Sequence, residues 1–381
     1  MKIEHSFLHI LEQLELEGNL RSLPQIEQQK RFVYVNGNKM INLSSNDYLG
    51  IASDEYMHRE FLQQLQIEKL SFSSSSSRLL TGNSPEYMAL EQLLASSFRK
   101  ESALVFTSGY HMNVGILPAI TDKSTLILAD KLVHASLIDG IRLSEARCIR
   151  YRHQDYVQLE QLLKKYHGTF SRIIIVTESI FSMDGDVARL DILSDFKRHY
   201  PGVMLYVDEA HAVGVRGETG LGVAEEQGCM GDIDFLCGTF GKALASIGAY
   251  VVCTKVLHDF LVNRMRTLIF TTALPPINVA WTHFVFERLS DMKLKRERLG
   301  MLSHCLCDAL KKRRYPCSSE SQIVPVLVGD SHAAVIKAEE MQRKGFYVLP
   351  VRPPTVPEGT SRLRISLCAD MDGLDNLIAM L

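Results

Sequence analysis

Two apolar runs in this sequence end on groups able to do chemistry. Val203 to Val207 leads into Asp208-Glu209-Ala210-His211, and Ile233 to Gly238 into Thr239-Phe240-Gly241-Lys242. A carboxylate, an imidazole and a primary amine then stand at strand ends, the arrangement required for covalent catalysis through an amine. A third run, Ala103 to Thr107, is followed by Ser108-Gly109-Tyr110 entering a helical pattern. Unpaired N–H groups at a helix start favour an anion, and Gly109 lets one approach closely. Pyridoxal phosphate needs this set: a lysine to carry it, an acid against its pyridine nitrogen, and donors for its phosphate. In that reading Lys242 holds the cofactor as a Schiff base, Asp208 keeps the ring nitrogen protonated, and His211 bonds the ring phenol oxygen. Each residue alone also has an ordinary structural reading: a turn-capping aspartate, a satisfied core histidine, a surface lysine at a helix start. Their order and their placement at strand ends carry the functional reading.

The elements that must position these groups are legible as periodicity. Short β-rich runs at 103–107, 125–129, 173–177, 203–207, 233–239 and 248–253 alternate with helical patterns, which argues for an α/β domain with a largely parallel, buried sheet. In such a sheet ligands bind beyond the carboxyl ends of the strands. Ahead of it, residues 1–45 form an arm: an amphipathic helix, then a hairpin whose runs flank Asn36-Gly37, a type I′ turn signal. The cofactor domain is expected over 46–285, with Ser73 to Ser77 as a loop inside it and Ser84-Pro85-Glu86 opening a capped helix. A smaller α+β domain is expected over 286–381, with strands near 323–328, 347–349 and 363–367.

Composition narrows the ligand class. With 42 basic and 44 acidic side chains the formal net charge is −2, so no global field recruits nucleic acid or an anionic membrane. The basic runs Lys293 to Arg298 and Lys311 to Arg314 read as solvated helix faces. The eight cysteines show no CxxC pair, which predicts reduced, mainly buried thiols; His304, Cys305 and Cys307 lack a second ligand pair nearby, so no metal is expected. The Met-Lys-Ile-Glu start is no signal sequence, and no apolar run reaches spanning length, so a cytoplasmic protein is expected. A dinucleotide site is disfavoured: no GxGxxG follows the first strand, Gly217, Gly220 and Gly222 lack that spacing, and no Walker lysine motif is present.

Several longer segments resemble the α-oxoamine synthases: SSNDYLG at 44–50, DKLVHAS at 130–136, ESIFSMDGD at 178–186, VDEAHAVG at 207–214, TFGKA at 239–243 and IFTTALPP at 269–276. The resemblance runs nearly end to end. It implies the aminotransferase-like fold type I of pyridoxal phosphate enzymes, with a mostly parallel-sheet large domain and a smaller α+β C-terminal domain. It implies that His134 stacks on the cofactor ring and helps place substrate. Ser182, Asp208, His211 and Thr239 are similar to ring and phosphate contacts, Glu178 to an acid lining the pocket, and Lys242 to the Schiff-base lysine. Asn46 and Arg364 resemble the pair that grips the amino-acid carboxylate, the alternative for Arg364 being a strand-edge surface charge. Thr271 and Thr272 resemble residues donated across a homodimer interface to the partner's cofactor phosphate, the alternative being a helix cap before Pro275. The segment Arg352-Pro353-Pro354-Thr355-Val356-Pro357 resembles the branch of biotin biosynthesis that joins L-alanine to a pimeloyl thioester. It makes Arg352 and Thr355 substrate-side contacts, and Arg21 a partner for the acyl thioester or a helix C-terminal charge. The serine-rich 73–77 loop departs from the family's glycine-rich stretch. The competing readings are a sister acyltransferase that joins glycine to an acetyl thioester, and a non-catalytic scaffold, which would have no need of Lys242.

Overall fold

The computed structural model describes residues 4–66 and 71–381; Met1, Lys2 and Ile3, with which the reading of the N-terminus begins, lie outside the described residues. The chain forms two compact units. The larger comprises Asp54–Ser182 and Val187–Arg296, and the smaller joins the residues up to Ser53 to Met183–Asp186 and Glu297–Leu381.

The smaller unit begins with a helix, Glu4–Leu16, and three short strands, β1 (Glu27–Gln29), β2 (Phe32–Val35) and β3 (Asn38–Asn42). The expected hairpin is present: Val35 pairs with Asn38 across Asn36 and Gly37, whose φ angles of 51° and 80° are both positive, as a type I′ turn requires.

The larger unit is built on strands β4 (Ser102–Phe106), β5 (Thr125–Asp130), β6 (Arg147–Tyr151), β7 (Arg172–Glu178), β8 (Val203–Asp208), β9 (Phe235–Thr239) and β10 (Ala249–Cys253). They form one sheet in the order β4-β10-β9-β8-β7-β5-β6. β5 to β9 pair in parallel, while β10 runs antiparallel to both β4 and β9. The carboxyl ends of β4, β5, β7, β8 and β9 therefore share one edge. Every residue of β5 and β10 is buried, as expected of strands covered on both faces. β6 carries two arginines, Arg147 and Arg150, among its five residues and escapes the apolar-run criterion.

The helix opened by Ser84-Pro85 spans Pro85–Ser97, but the Ser84 side chain makes no capping bond; Pro85 in the first turn marks the start instead. Arg296, read as part of a solvated basic face, is buried and donates to the carbonyls of Leu289 and Glu218. Of the cysteines, 229, 237, 253 and 307 are buried, whereas Cys305 is exposed and 148, 317 and 368 are half-buried.

The C-terminal part of the smaller unit carries β11 (Ile323–Gly329), β12 (Phe346–Tyr347), β13 (Pro350–Val351) and β14 (Ser361–Ser366). β14 lies between β11 and β13 in an antiparallel sheet. β12 leaves that sheet and pairs in parallel with β3, so Val33, Met40 and Tyr347 share a small core. Among the described residues no helix is long and apolar enough to cross a membrane.

Candidate active site

Parallel register places Glu178 beside Asp208, and Asp208 beside Cys237, at the shared sheet edge. Asp208 ends a buried strand, and its Oδ1 accepts the Ala210 N–H at 2.9 Å, which turns the chain out of the sheet. Its Oδ2 accepts from Asn113 Nδ2 at 2.8 Å. His211, one turn further on, is buried.

β9 delivers Lys242 through a tight loop. Phe240 N–H donates to Gly248 O at 2.9 Å, Thr239 Oγ1 donates to the same carbonyl at 2.9 Å, and Ala245 N–H closes a turn onto Lys242 O at 2.9 Å. Lys242 is thus half-buried in a turn rather than at a helix start. Its charge reaches both Glu178 and His134.

β4 delivers the Ser108-Gly109-Tyr110 turn. Ser108 caps the helix Gly109–Ile120, its Oγ accepting the His111 N–H at 3.1 Å. A side chain added at Gly109 would meet only Thr239, at 3.9 Å, so protein packing does not demand glycine there. Tyr110 is half-exposed, and its hydroxyl donates to Asp139 Oδ2 at 3.0 Å.

β5 leads to His134, which caps the helix Ala135–Leu143 with its ring nitrogen: Ser136 N–H donates to Nδ1 at 3.2 Å and Ser136 Oγ lies 2.8 Å from it. The His134 N–H donates to Glu178 Oε1. His134 is exposed as a residue, yet its surroundings are desolvated enough to lower its pKa; Asp208 opposes that shift and Lys242 reinforces it. Glu178 is fully buried, and burial first, then the neighbouring Asp208, pushes its carboxyl well above the usual range against the pull of Lys242 and the His134 N–H. Ser182 is buried beyond the end of β7.

Glu209 was not singled out from sequence. It accepts from Ser179 Oγ at 2.6 Å and from the N–H groups of Val223 at 3.0 Å and Ala224 at 2.7 Å. Burial nevertheless raises its pKa to about 7. Gly222 lies against this carboxylate with φ +114°, where an added Cβ would sit 2.6 Å from Glu209 Oε2. Asn113, Ser136 and Tyr206 were also missed, because amide and hydroxyl residues inside apolar helices and strands carry no motif.

Thr271 and Thr272 lie in the loop ahead of the helix Pro276–Glu287, half-buried and exposed respectively. Pro275 holds the cap position, so neither threonine caps that helix.

In the smaller unit, Arg364 sits on β14, the central strand of its sheet, and is half-buried rather than an edge charge. Its Nη1 donates to Asn46 Oδ1 at 3.2 Å and to Ser366 Oγ at 2.6 Å, and its Nη2 to Tyr48 OH at 3.3 Å. Arg21, Arg352 and Thr355 also come together: Arg21 Nη2 donates to Thr355 Oγ1 at 3.1 Å and to Pro353 O at 3.4 Å. Arg352 donates to the carbonyls of Gly18 and Leu20, closing the turn after the first helix. Burial lowers the Arg352 pKa, and the Arg21 charge adds to it. Arg21 therefore lies beyond the helix end at Leu16 rather than compensating its C-terminus.

Residues 38–381 match the model of aminotransferase class I and II. The chain belongs to that family. Within it, a curated protein of Pasteurella multocida named "Putative 8-amino-7-oxononanoate synthase" is 56% identical, over 95% of this chain and 94% of its own length. A solved structure of serine palmitoyltransferase from S. paucimobilis with bound PLP–myriocin aldimine superposes with a TM-score of 0.89 at 29% identity, covering 98% of this chain and 95% of that one. A solved 8-amino-7-oxononanoate synthase from Francisella tularensis gives 0.75 at 28% identity, over 90% and 95%. This member of the family is an enzyme of the α-oxoamine synthase type with the fold type I architecture.

Proposed function

We propose that this enzyme condenses L-alanine with a pimeloyl thioester, on coenzyme A or a carrier protein, releasing CO₂, the free thiol and 8-amino-7-oxononanoate for biotin synthesis. The observation that carries this reading is the joint placement of Lys242, Asp208, Glu178 and His134 at one sheet edge, in a chain 56% identical to a relative bearing that product's name.

The cofactor is pyridoxal 5′-phosphate. The residues fit it: a half-buried amine on a braced turn, a buried carboxylate held by two donors, and a capped helix start with no side chain at Gly109. When bound, it supplies a protonated ring that withdraws electrons from the substrate Cα. Asp208, kept in place by Asn113 and Ala210, holds the proton on the ring nitrogen. Ser108, Gly109, Tyr110 and Thr239 take the phosphate end, with Thr271 and Thr272 supplied by the second subunit of a homodimer. His211 and Ser182 hold the ring oxygen side.

Lys242 Nζ carries the cofactor between turnovers, then takes the alanine Cα proton and later returns one to the product. Arg364 and Asn46 orient the alanine carboxylate, which a guanidinium fork suits. His134 meets the acyl carbonyl. Arg21, Arg352 and Thr355 serve the acyl chain, whose far carboxylate suits a cationic neighbour.

The test is a rate matrix of alanine and glycine against acetyl, succinyl, pimeloyl and palmitoyl thioesters. Alanine with pimeloyl should be fastest, and discrimination against glycine modest, because one methyl in a pocket contributes only about 1–3 kcal/mol. Preference for glycine with a short acyl group would overturn the substrate assignment.

A further inference from the structure

The network behind His134 has a direction that can be read donor by donor. Asn113 is 1% exposed. Its Oδ1 lies 2.6 Å from Tyr206 OH, and its Nδ2 lies 2.8 Å from Asp208 Oδ2 and 2.9 Å from Ser136 Oγ. Turning the amide over would set its oxygen against the Asp208 carboxylate, so both Nδ2 hydrogens are committed, one to Asp208 and one to Ser136. Ser136 Oγ, already accepting, directs its own proton to the acceptor at 2.8 Å, His134 Nδ1. The Ser136 N–H meets the same nitrogen at 3.2 Å. A ring nitrogen facing two donors must carry its lone pair.

We infer that Asn113 and Ser136 are positioning residues that lock His134 as the neutral imidazole with its proton on Nε2, and couple that tautomer to the placement of Asp208. His134 then offers Nε2–H as a hydrogen-bond donor, and proton uptake at Nδ1 is disfavoured by the two donors already facing it. Tyr206 fixes the amide from behind. The charged groups around the ring are Asp208 and Asp139, which favour protonation, and Lys242, which opposes it; Glu178 accepts the residue's own N–H. The lowered His134 pKa agrees with the lock. That Nε2–H serves the acyl carbonyl rests on the function proposed above, whereas the tautomer does not.

Long-range ¹⁵N–¹H spectra of the full-length holoenzyme labelled at histidine test this directly, with the His134 signal assigned by its loss in His134→Gln. The expected result is a neutral ring protonated at Nε2. A ring protonated at Nδ1, or doubly protonated at neutral pH, would overturn the inference, and the wild-type spectrum alone decides this. Ser136→Ala should raise the His134 protonation midpoint by roughly one pH unit, tenfold in proton affinity for one lost donor. It should also move the acid limb of the rate profile the same way, while Ser136→Thr restores both. An unchanged midpoint in Ser136→Ala counts against the lock. Absence of amino-oxo acid product from the wild type would count against the substrate reading and leave the tautomer result standing.

Discussion

Arg364 donates to Asn46 Oδ1 across 3.2 Å, although 318 positions separate them in the chain. The contact holds one arm of the guanidinium, which is also tied to Ser366 Oγ and Tyr48 OH. Such bracing orients the fork before substrate arrives. Arg364→Lys keeps the charge but loses the fork, and should raise KM for alanine about tenfold or more with a smaller effect on KM for the thioester. Arg364→Ala should do more. Steady-state kinetics with each substrate varied in turn decide it, and an unchanged KM for alanine would remove Arg364 from carboxylate binding.

Lys242→Ala should lower turnover at least a hundredfold, the usual contribution of a positioned base, yet leave the cofactor able to bind non-covalently. Borohydride followed by peptide mapping should attach the cofactor at Lys242 in the wild type and nowhere in the variant. Near wild-type turnover in the variant would refute the assignment.

Glu209 predicts a pH-dependent stability. Its carboxyl sits near pH 7 in the folded protein against an ordinary value of 4.5. A raised folded pKa makes the folded state bind the proton more tightly, so this contribution is full below about pH 4.5 and is lost as pH rises towards 7. Glu209→Gln cannot titrate. Its amide also sets a donor against Ser179, Val223 or Ala224, so it should be less stable throughout. The difference in Tm between wild type and Glu209→Gln should shrink by several degrees from pH 5 to pH 7, then level off. A constant difference across that range contradicts the account.

Much of this is legible in the sequence. Buried parallel strands read as continuous apolar runs, so the strands ending at Asp208 and Thr239 were placed within one or two residues of their ends. The Asn36-Gly37 turn was legible because only a few residue types tolerate two positive φ angles. The Asn46–Arg364 contact was reached through resemblance alone, since nothing local in either segment points to the other. β6 was lost because Arg147 and Arg150 interrupt the apolar run of a strand that is only part-buried. A strand was expected near 347–349, but its pairing with β3 is a long-range choice that two residues, Phe346 and Tyr347, cannot announce. The Asn113 network was invisible for a different reason: its members are hydrogen-bonded from separate elements, and only their geometry joins them.

The threonines at 271 and 272 predict a shared site. Thr271→Val with Thr272→Val should weaken phosphate retention roughly tenfold, the loss expected of hydrogen bonds to a charged group, without changing monomer folding. Light scattering at assay dilution, run beside an activity measurement, should show activity falling as dimer dissociates. A fully active monomer would exclude donation across an interface.

The most direct measurement follows the carboxyl carbon of L-alanine. The enzyme is supplied with carboxyl-¹³C alanine and pimeloyl thioester, and both gas and solution are analysed by mass spectrometry. The account predicts one labelled CO₂ for each thiol released, and an unlabelled product with the mass of 8-amino-7-oxononanoate. Label retained in the product, or thiol released without labelled CO₂, would contradict decarboxylative condensation at this site.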